Sequence, residues 1–141
     1  MITYIEQDRE EVIIHGNQKS KRIKRAMMSC IKELCLEYGS SYEGRKTSVK
    51  RVCHIKQKVP VMISERTKDM LFPTADIRSL HCCWINYQAI ISAKGNHQQS
   101  HVKFKDGSQA VFSCDVRCIK REMKICKTYL DHLERQYGNT V

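Results

Sequence analysis

The feature that most narrows the fold is an apolar seam near the end of the chain. Val116, Ile119, Met123, Cys126, Leu130, Leu133 and Tyr137 step by 3, 4, 3, 4, 3 and 4 residues, the spacing that keeps side chains on one face of an α-helix. The seam predicts a helix over residues 115–137 with Gly138 as its stop. A helix with one apolar face needs a surface to lie on, and the segments before it read as sheet. Residues 83–91 alternate Cys83, Ile85, Tyr87, Ala89 and Ile91 against Trp84, Asn86, Gln88 and Ile90, which predicts one continuous strand. Two more alternating runs, HVKFK and SQAVFS, flank Asp106-Gly107 and predict a hairpin.

The rest of the chain completes an α+β pattern. TYI and EVIIH around residues 6–10 predict an opening hairpin. Ile23, Met27, Cys30, Ile31, Leu34 and Tyr38 predict a first helix over residues 23–38, stopped by Gly39. The polar stretch GSSYEGRKTS reads as a turn-rich loop. It is followed by short strands in SVKRVCHI, VPVMI and MLF, limited by Pro60 and Pro73, and SAKGNHQQ reads as a further polar loop. No repeat or linker divides the chain. Residues 1–141 are expected to form a single domain, a mainly antiparallel sheet packed by an early helix and a long C-terminal helix.

Several function classes fall away. No run of about 18 apolar residues exists and the first residues carry no leader pattern, so the expectation is a cytoplasmic protein with no membrane partner. The eight cysteines contain no C-x2-C knuckle and read mostly as small buried hydrophobes of a reducing compartment. His54, His81, His97, His101 and Asp76 fall in no catalytic or metal motif, and Cys82 and Cys83 beside His81 read as packing. Neither an enzyme nor a cofactor is expected.

Charge carries the functional signal. The chain has 25 Lys+Arg against 15 Asp+Glu, a formal net of +10, and the excess lies beyond residue 18. A polyanion rewards such clustering, because each neutralised phosphate releases counterions. Three clusters stand out. Residues 19–25, KSKRIKR, fall where the first helix is predicted to begin, the end at which the macrodipole disfavours cations. Residues 45–58 bring Arg45, Lys46, Lys50, Arg51, Lys56 and Lys58 with no acid between them, opening on a glycine- and serine-containing loop suited to following a sugar-phosphate backbone. Arg117, Lys120, Arg121, Lys124 and Lys127 fall on the outward face of the last helix, again mostly in its N-terminal half.

The docking mode is less determined. A helix-turn-helix is not expected, since roughly 75 residues of strand-like pattern separate the two predicted helices. RNA-binding signatures of the RNP or GXXG kind are absent. A basic loop or strand edge entering a groove remains, with Arg or Lys in a narrow A·T-rich minor groove the physically favoured version.

Four motifs then occur in order: Gly39-Ser40-Ser41-Tyr42-x-Gly44-Arg45-Lys46, Lys58-x-Pro60-x-Met62, Leu71-Phe72-Pro73-Thr74 and Cys82-x-Trp84-Ile85. In order and spacing they resemble the ComK family of bacterial competence transcription factors, from about Cys30 to the final helix. The resemblance implies an activator of DNA-uptake genes that binds paired A/T-rich boxes in double-stranded promoter DNA through the minor groove, as a homodimer or higher oligomer. Val59 stands where the family tends to have a second proline, and residues 1–30 match poorly. The chain ends at Gly138-Asn139-Thr140-Val141, as a short form without the tail associated with adaptor-directed proteolysis, which leaves that control in doubt. Arg45, Lys46, Lys50, Arg51, Lys56, Lys58, Arg117, Lys120, Arg121 and Lys124 are the expected DNA-binding residues, with Arg45 or a neighbour probing the groove. The alternative is a regulatory module that holds an acidic protein partner without touching DNA.

Overall fold

The computed structural model describes residues 1–138; the last three, on which the reading of the chain's end rested, lie outside them. The fold is α+β. Nine strands form two antiparallel sheets: β1 (Ile2–Asp8), β2 (Glu11–Gly16), β3 (Lys19–Lys24), β4 (Val61–Met62), β5 (Met70–Pro73) and β6 (Trp84–Asn86) in one, and β7 (Ile90–Gly95), β8 (Ser100–Phe104) and β9 (Gln109–Phe112) in the other. The larger sheet runs β3-β2-β1-β6-β5-β4, so β1 lies between its own hairpin partner and a strand from the middle of the chain. Three helices complete it: α1 (Met27–Glu37), α2 (Tyr42–Cys53) and α3 (Val116–Gly138).

Strand alternation sorts the large sheet into two packed faces. Ile5, Val12, Val61, Leu71 and Trp84 point to one side and meet Met27, Cys30, Ile31 and Cys35 of α1. Met62, Met70, Phe72 and Ile85 point to the other side and join Val49 of α2, Ile119, Cys126 and Tyr129 of α3, and Ala93, Val102, Phe104 and Phe112 of the small sheet. Trp84 and Phe72 have no exposed surface. Truncating either to alanine should cost about 3–5 kcal/mol, because a cavity that size cannot fully collapse.

The opening hairpin and the β8–β9 hairpin form as the sequence predicts. In the latter the Phe104 N–H donates to the Ser108 carbonyl (2.9 Å). Lys105, Asp106 and Gly107 make the turn, with Gly107 at φ 90° in the left-handed position that only glycine takes without strain.

Four expectations are corrected. Residues 19–24 are a strand, not the start of a helix. Asn17 and Gln18, both at positive φ (53° and 61°), make a two-residue turn that folds β3 back onto β2 over six paired positions. The first helix therefore begins only at Met27. Residues 42–53 are α2, not a loop and strand: Ser41 caps it by accepting from the Gly44 N–H (3.1 Å), and Glu43 sits in the first turn. The alternation over 83–91 is broken after Asn86, whose side chain accepts from the Gln88 N–H and donates to the Ile2 carbonyl. A 3-10 turn at Tyr87–Ala89 then carries the chain into the other sheet. Finally, the first half of the predicted loop SAKGNHQQ belongs to strand β7, and only residues 96–99 form the turn between β7 and β8.

Candidate nucleic-acid interface

The two later basic clusters, far apart in sequence, lie on neighbouring elements. α2 runs antiparallel to α3: the Ser48 and Tyr129 hydroxyls hydrogen-bond at 2.7 Å, and one turn further along α2 the Cys53 thiol donates to the Ile125 carbonyl at 3.7 Å. In the loop beyond α2, Lys58 comes to bear electrostatically on Glu122 of α3 and on Cys114 just before it. His54 and Lys58 hold this loop in left-handed backbone (φ 55° and 50°), and the buried Val59 anchors its far end.

Charge on these elements is largely uncompensated. Among the described residues, Lys50, Arg51, Lys56, Lys58, Lys120, Arg121 and Lys124 have no carboxylate oxygen within 4.0 Å. All but the half-buried Lys58 are exposed. Lys50 and Arg51 fall in the last turn of α2, where the helix dipole welcomes cations, so that pair has a structural reason to be there. Lys120 and Arg121 do not: they lie in the N-terminal half of α3, against the dipole.

The remaining predicted residues are engaged within the protein. Arg45 is turned inward, its side chain 14% exposed and 3.5 Å from Glu65. Lys46 lies over the Tyr42 ring, 5.7 Å from its centroid. Arg117 is held by Asp115 at 2.7 Å, and its guanidinium with the His97 ring keeps that carboxyl well below the usual range. Lys127 pairs with Asp131 one turn on (2.9 Å).

The cluster at 19–25 behaves differently. Arg22 bridges Asp8 (3.0 Å) and Glu11 (3.5 Å), Lys24 meets Glu10 (3.7 Å), and Arg25 meets Glu33 (3.8 Å). Since no helix begins there, the argument that its cations oppose a dipole fails. Lysines on an edge strand also guard the sheet against pairing with another chain.

The grounds for setting aside a helix-turn-helix fail too. Only residues 38–41 separate α1 from α2, with Gly39 at φ 82° in the turn. The outer side of the second helix exposes Glu43, Thr47, Lys50 and Arg51.

Inside α3 the buried stripe is Val116, Ile119, Glu122, Cys126 and Tyr129. Met123, Leu130 and Leu133 are half-buried and Tyr137 is 57% exposed. The predicted seam is thus rotated, and it carries a carboxyl. Glu122 is 2% exposed, neither of its oxygens has a partner, and burial pushes its pKa up to about 8, with Arg121 and Lys58 pulling the other way.

Sequence reasoning missed a cation-lined cavity of about 270 Å³ beside α2. Its walls include Tyr42, Lys46, Lys56, Lys58, Asp76 and Arg78. Arg78 stands alone in a loop, so no run of charge pointed to it. Also missed was the outer face of the small sheet, where Lys94, His101 and Lys103 are exposed on adjacent strands. Four of the eight cysteines are buried, the rest half-buried. Among the described residues no three His, Cys, Asp or Glu side chains converge as a metal site, and no helix is long and apolar enough to cross a membrane.

The family model described as "ComK protein" matches residues 1–137. The chain belongs to the ComK family. Membership reaches across residues 1–30, where the four motifs gave little likeness. The chain is also similar to the competence transcription factor of Bacillus subtilis (strain 168), at 32% identity over 74 residues. That match takes in 52% of this chain and 38% of the relative's length. No solved structure matches it.

Proposed function

We propose that this ComK-family chain is a transcriptional regulator of competence genes that binds double-stranded DNA through α2, the loop after it and the facing side of α3. The observation that carries the reading is the alignment of α2 and α3, which puts seven cations without carboxylate partners on adjoining elements. Phosphate is the partner that such a surface rewards, since each contact releases condensed counterions. The Bacillus subtilis relative is by name a competence transcription factor, and the reading assigns no catalytic step to this chain.

The finer part concerns how sequence is read. Paired A/T-rich boxes entered through the minor groove suit Lys and Arg side chains, because a narrow A·T groove concentrates negative potential. The α1–α2 pair offers a competing arrangement, with the exposed side of α2 in the major groove. Binding as a homodimer would match paired boxes.

The test is fluorescence anisotropy of the full chain with A/T-rich and G/C-rich duplexes at two salt concentrations, with and without a minor-groove ligand such as netropsin. Tight, salt-dependent binding to the A/T-rich duplex that netropsin displaces is the expected result. Binding that netropsin leaves intact favours α2 in the major groove. Weak, sequence-blind binding would leave a module for an acidic protein partner and sink the DNA reading.

A further inference from the structure

The cavity beside α2 gathers charge in a way the fold does not require. Four cations, Lys46, Lys56, Lys58 and Arg78, surround one carboxylate, Asp76. That carboxylate is already occupied: it receives the Arg78 backbone N–H at 2.9 Å and two guanidinium contacts at 3.2 Å each. Asp76 is held below its usual range by Arg78, with Lys58 adding to the effect. Among the described residues, Lys46, Lys56 and Lys58 have no carboxylate oxygen within 4.0 Å. Like charges around a common cavity repel, and water alone compensates them poorly when the walls are fixed.

Part of the wall is held in place. Val59, 4% exposed, pins one side to the core, and Lys58 holds a left-handed backbone that a flexible loop would abandon. Tyr42, 6% exposed, closes the floor and carries Lys46 over its ring. Tyr42 and Lys46 belong to the first turns of α2, the end at which the helix dipole favours an anion. At about 270 Å³ the cavity falls just below the range of roughly 300–1,000 Å³ typical of small-molecule sites. Its size suits a single tetrahedral anion with little attached.

We propose that this cavity is a seat for one phosphate group, clamped between Lys56 and Lys58 on one loop, Arg78 on another and Lys46 on α2. The phosphate has two sources: a backbone phosphate of bound duplex, in which case the seat fixes the register of the complex and rests on the DNA reading above, or a free phosphorylated small molecule.

The test uses the full chain and the variants Lys56→Gln and Arg78→Gln, both at exposed positions that leave the core untouched. Inorganic phosphate is titrated against chloride at matched ionic strength by isothermal calorimetry. Duplex binding is then measured with a single neutral methylphosphonate linkage moved along the site. The expected result is saturable phosphate binding that weakens about tenfold or more in each variant, together with one linkage position that costs affinity in the parent chain but not in the variants. Saturable phosphate with no such position supports the seat and assigns it to a free ligand. Saturable phosphate with no duplex binding at all removes the DNA reading and keeps the seat. Phosphate indistinguishable from chloride, with duplex binding unchanged in both variants, overturns the proposal.

Discussion

The strand β3 and the pair α2–α3 are both rich in Lys and Arg, yet they stand in opposite electrostatic situations. On β3 and just after it, Asp8, Glu10, Glu11 and Glu33 reach three of the five cations. Along α2, its following loop and α3, nine cations of the described residues are left without such partners, the seven named above with Lys46 and Arg135. In linear sequence the first cluster is the denser, five in seven residues. The fold inverts that ranking: what matters for a polyanion is charge that the tertiary structure leaves uncompensated.

The strongest way to break the comparison is to neutralise three cations in each region. Lys50→Gln, Arg51→Gln and Lys120→Gln together should weaken duplex binding by about a hundredfold at low salt and lower the slope of log K against log salt by about three. The matching triple at Arg22, Lys24 and Arg25, the three cations already held by carboxylates, should move either quantity little. Equal losses from both triples in anisotropy titrations would refute the distinction.

A second effect concerns stability beneath the cationic rim. Glu122 has its pKa raised from 4.5 to about 8 by burial, so the folded chain holds a proton that the unfolded chain gives up. Below pH 4.5 both states are protonated and nothing is lost; as pH rises from there toward 8 the unfolded state gains, and stability falls. By pH 7 the loss is on the order of 3 kcal/mol. Glu122→Leu should remove most of that slope and raise the melting temperature at pH 7 more than at pH 5. A pH profile parallel to the parent's would show that the carboxyl is ionised and compensated.

Smaller changes sharpen the picture. Ser41→Ala removes the cap of α2 and should cost about 1 kcal/mol, read as a drop of a few degrees in melting temperature. On the β3 side, Lys19→Thr with Lys21→Thr should leave the fold intact and increase self-association in light scattering, because the edge loses its charge guard. A monodisperse variant would show that the edge is protected in some other way.

The elements legible in sequence are those whose signal is local and repeated. The hairpin across Asp106-Gly107 needs one turn chemistry, and α3 needs only its 3-and-4 spacing. The α3 seam is only slightly rotated from the expected one: Val116, Ile119 and Cys126 are buried and Met123, Leu130 and Leu133 pack half-buried against the core, but Glu122 and Tyr129 are buried beside them. A polar residue inside a stripe is invisible to hydrophobic periodicity. α2 was lost for the opposite reason: Ser41, Glu43 and Gly44 read as turn formers, whereas Ser41 and Glu43 are also the start signal of a helix. That misreading hid the short α1–α2 connection. Ile23 and Met27, four apart, imitated one helix across what is a strand and a separate helix. Of the site, the identity of the cations was readable, but the inward turn of Arg45 was not, because its partner Glu65 lies twenty residues on and is brought there only by the tertiary fold.

The placement of β1 between β2 and β6 bears on how the protein is made. Ile5 pairs with Trp84, roughly 80 residues downstream, and synthesis proceeds at about 5–20 residues per second. For several seconds a nascent chain with its first three strands already zipped displays an open inner edge and the naked side of Ile5, waiting on the ribosome for its neighbour to emerge. Newly made copies are at that moment the molecules best able to mispair with one another, so the yield of folded protein should depend on translation speed and chaperone supply more steeply than the stability of the finished fold suggests.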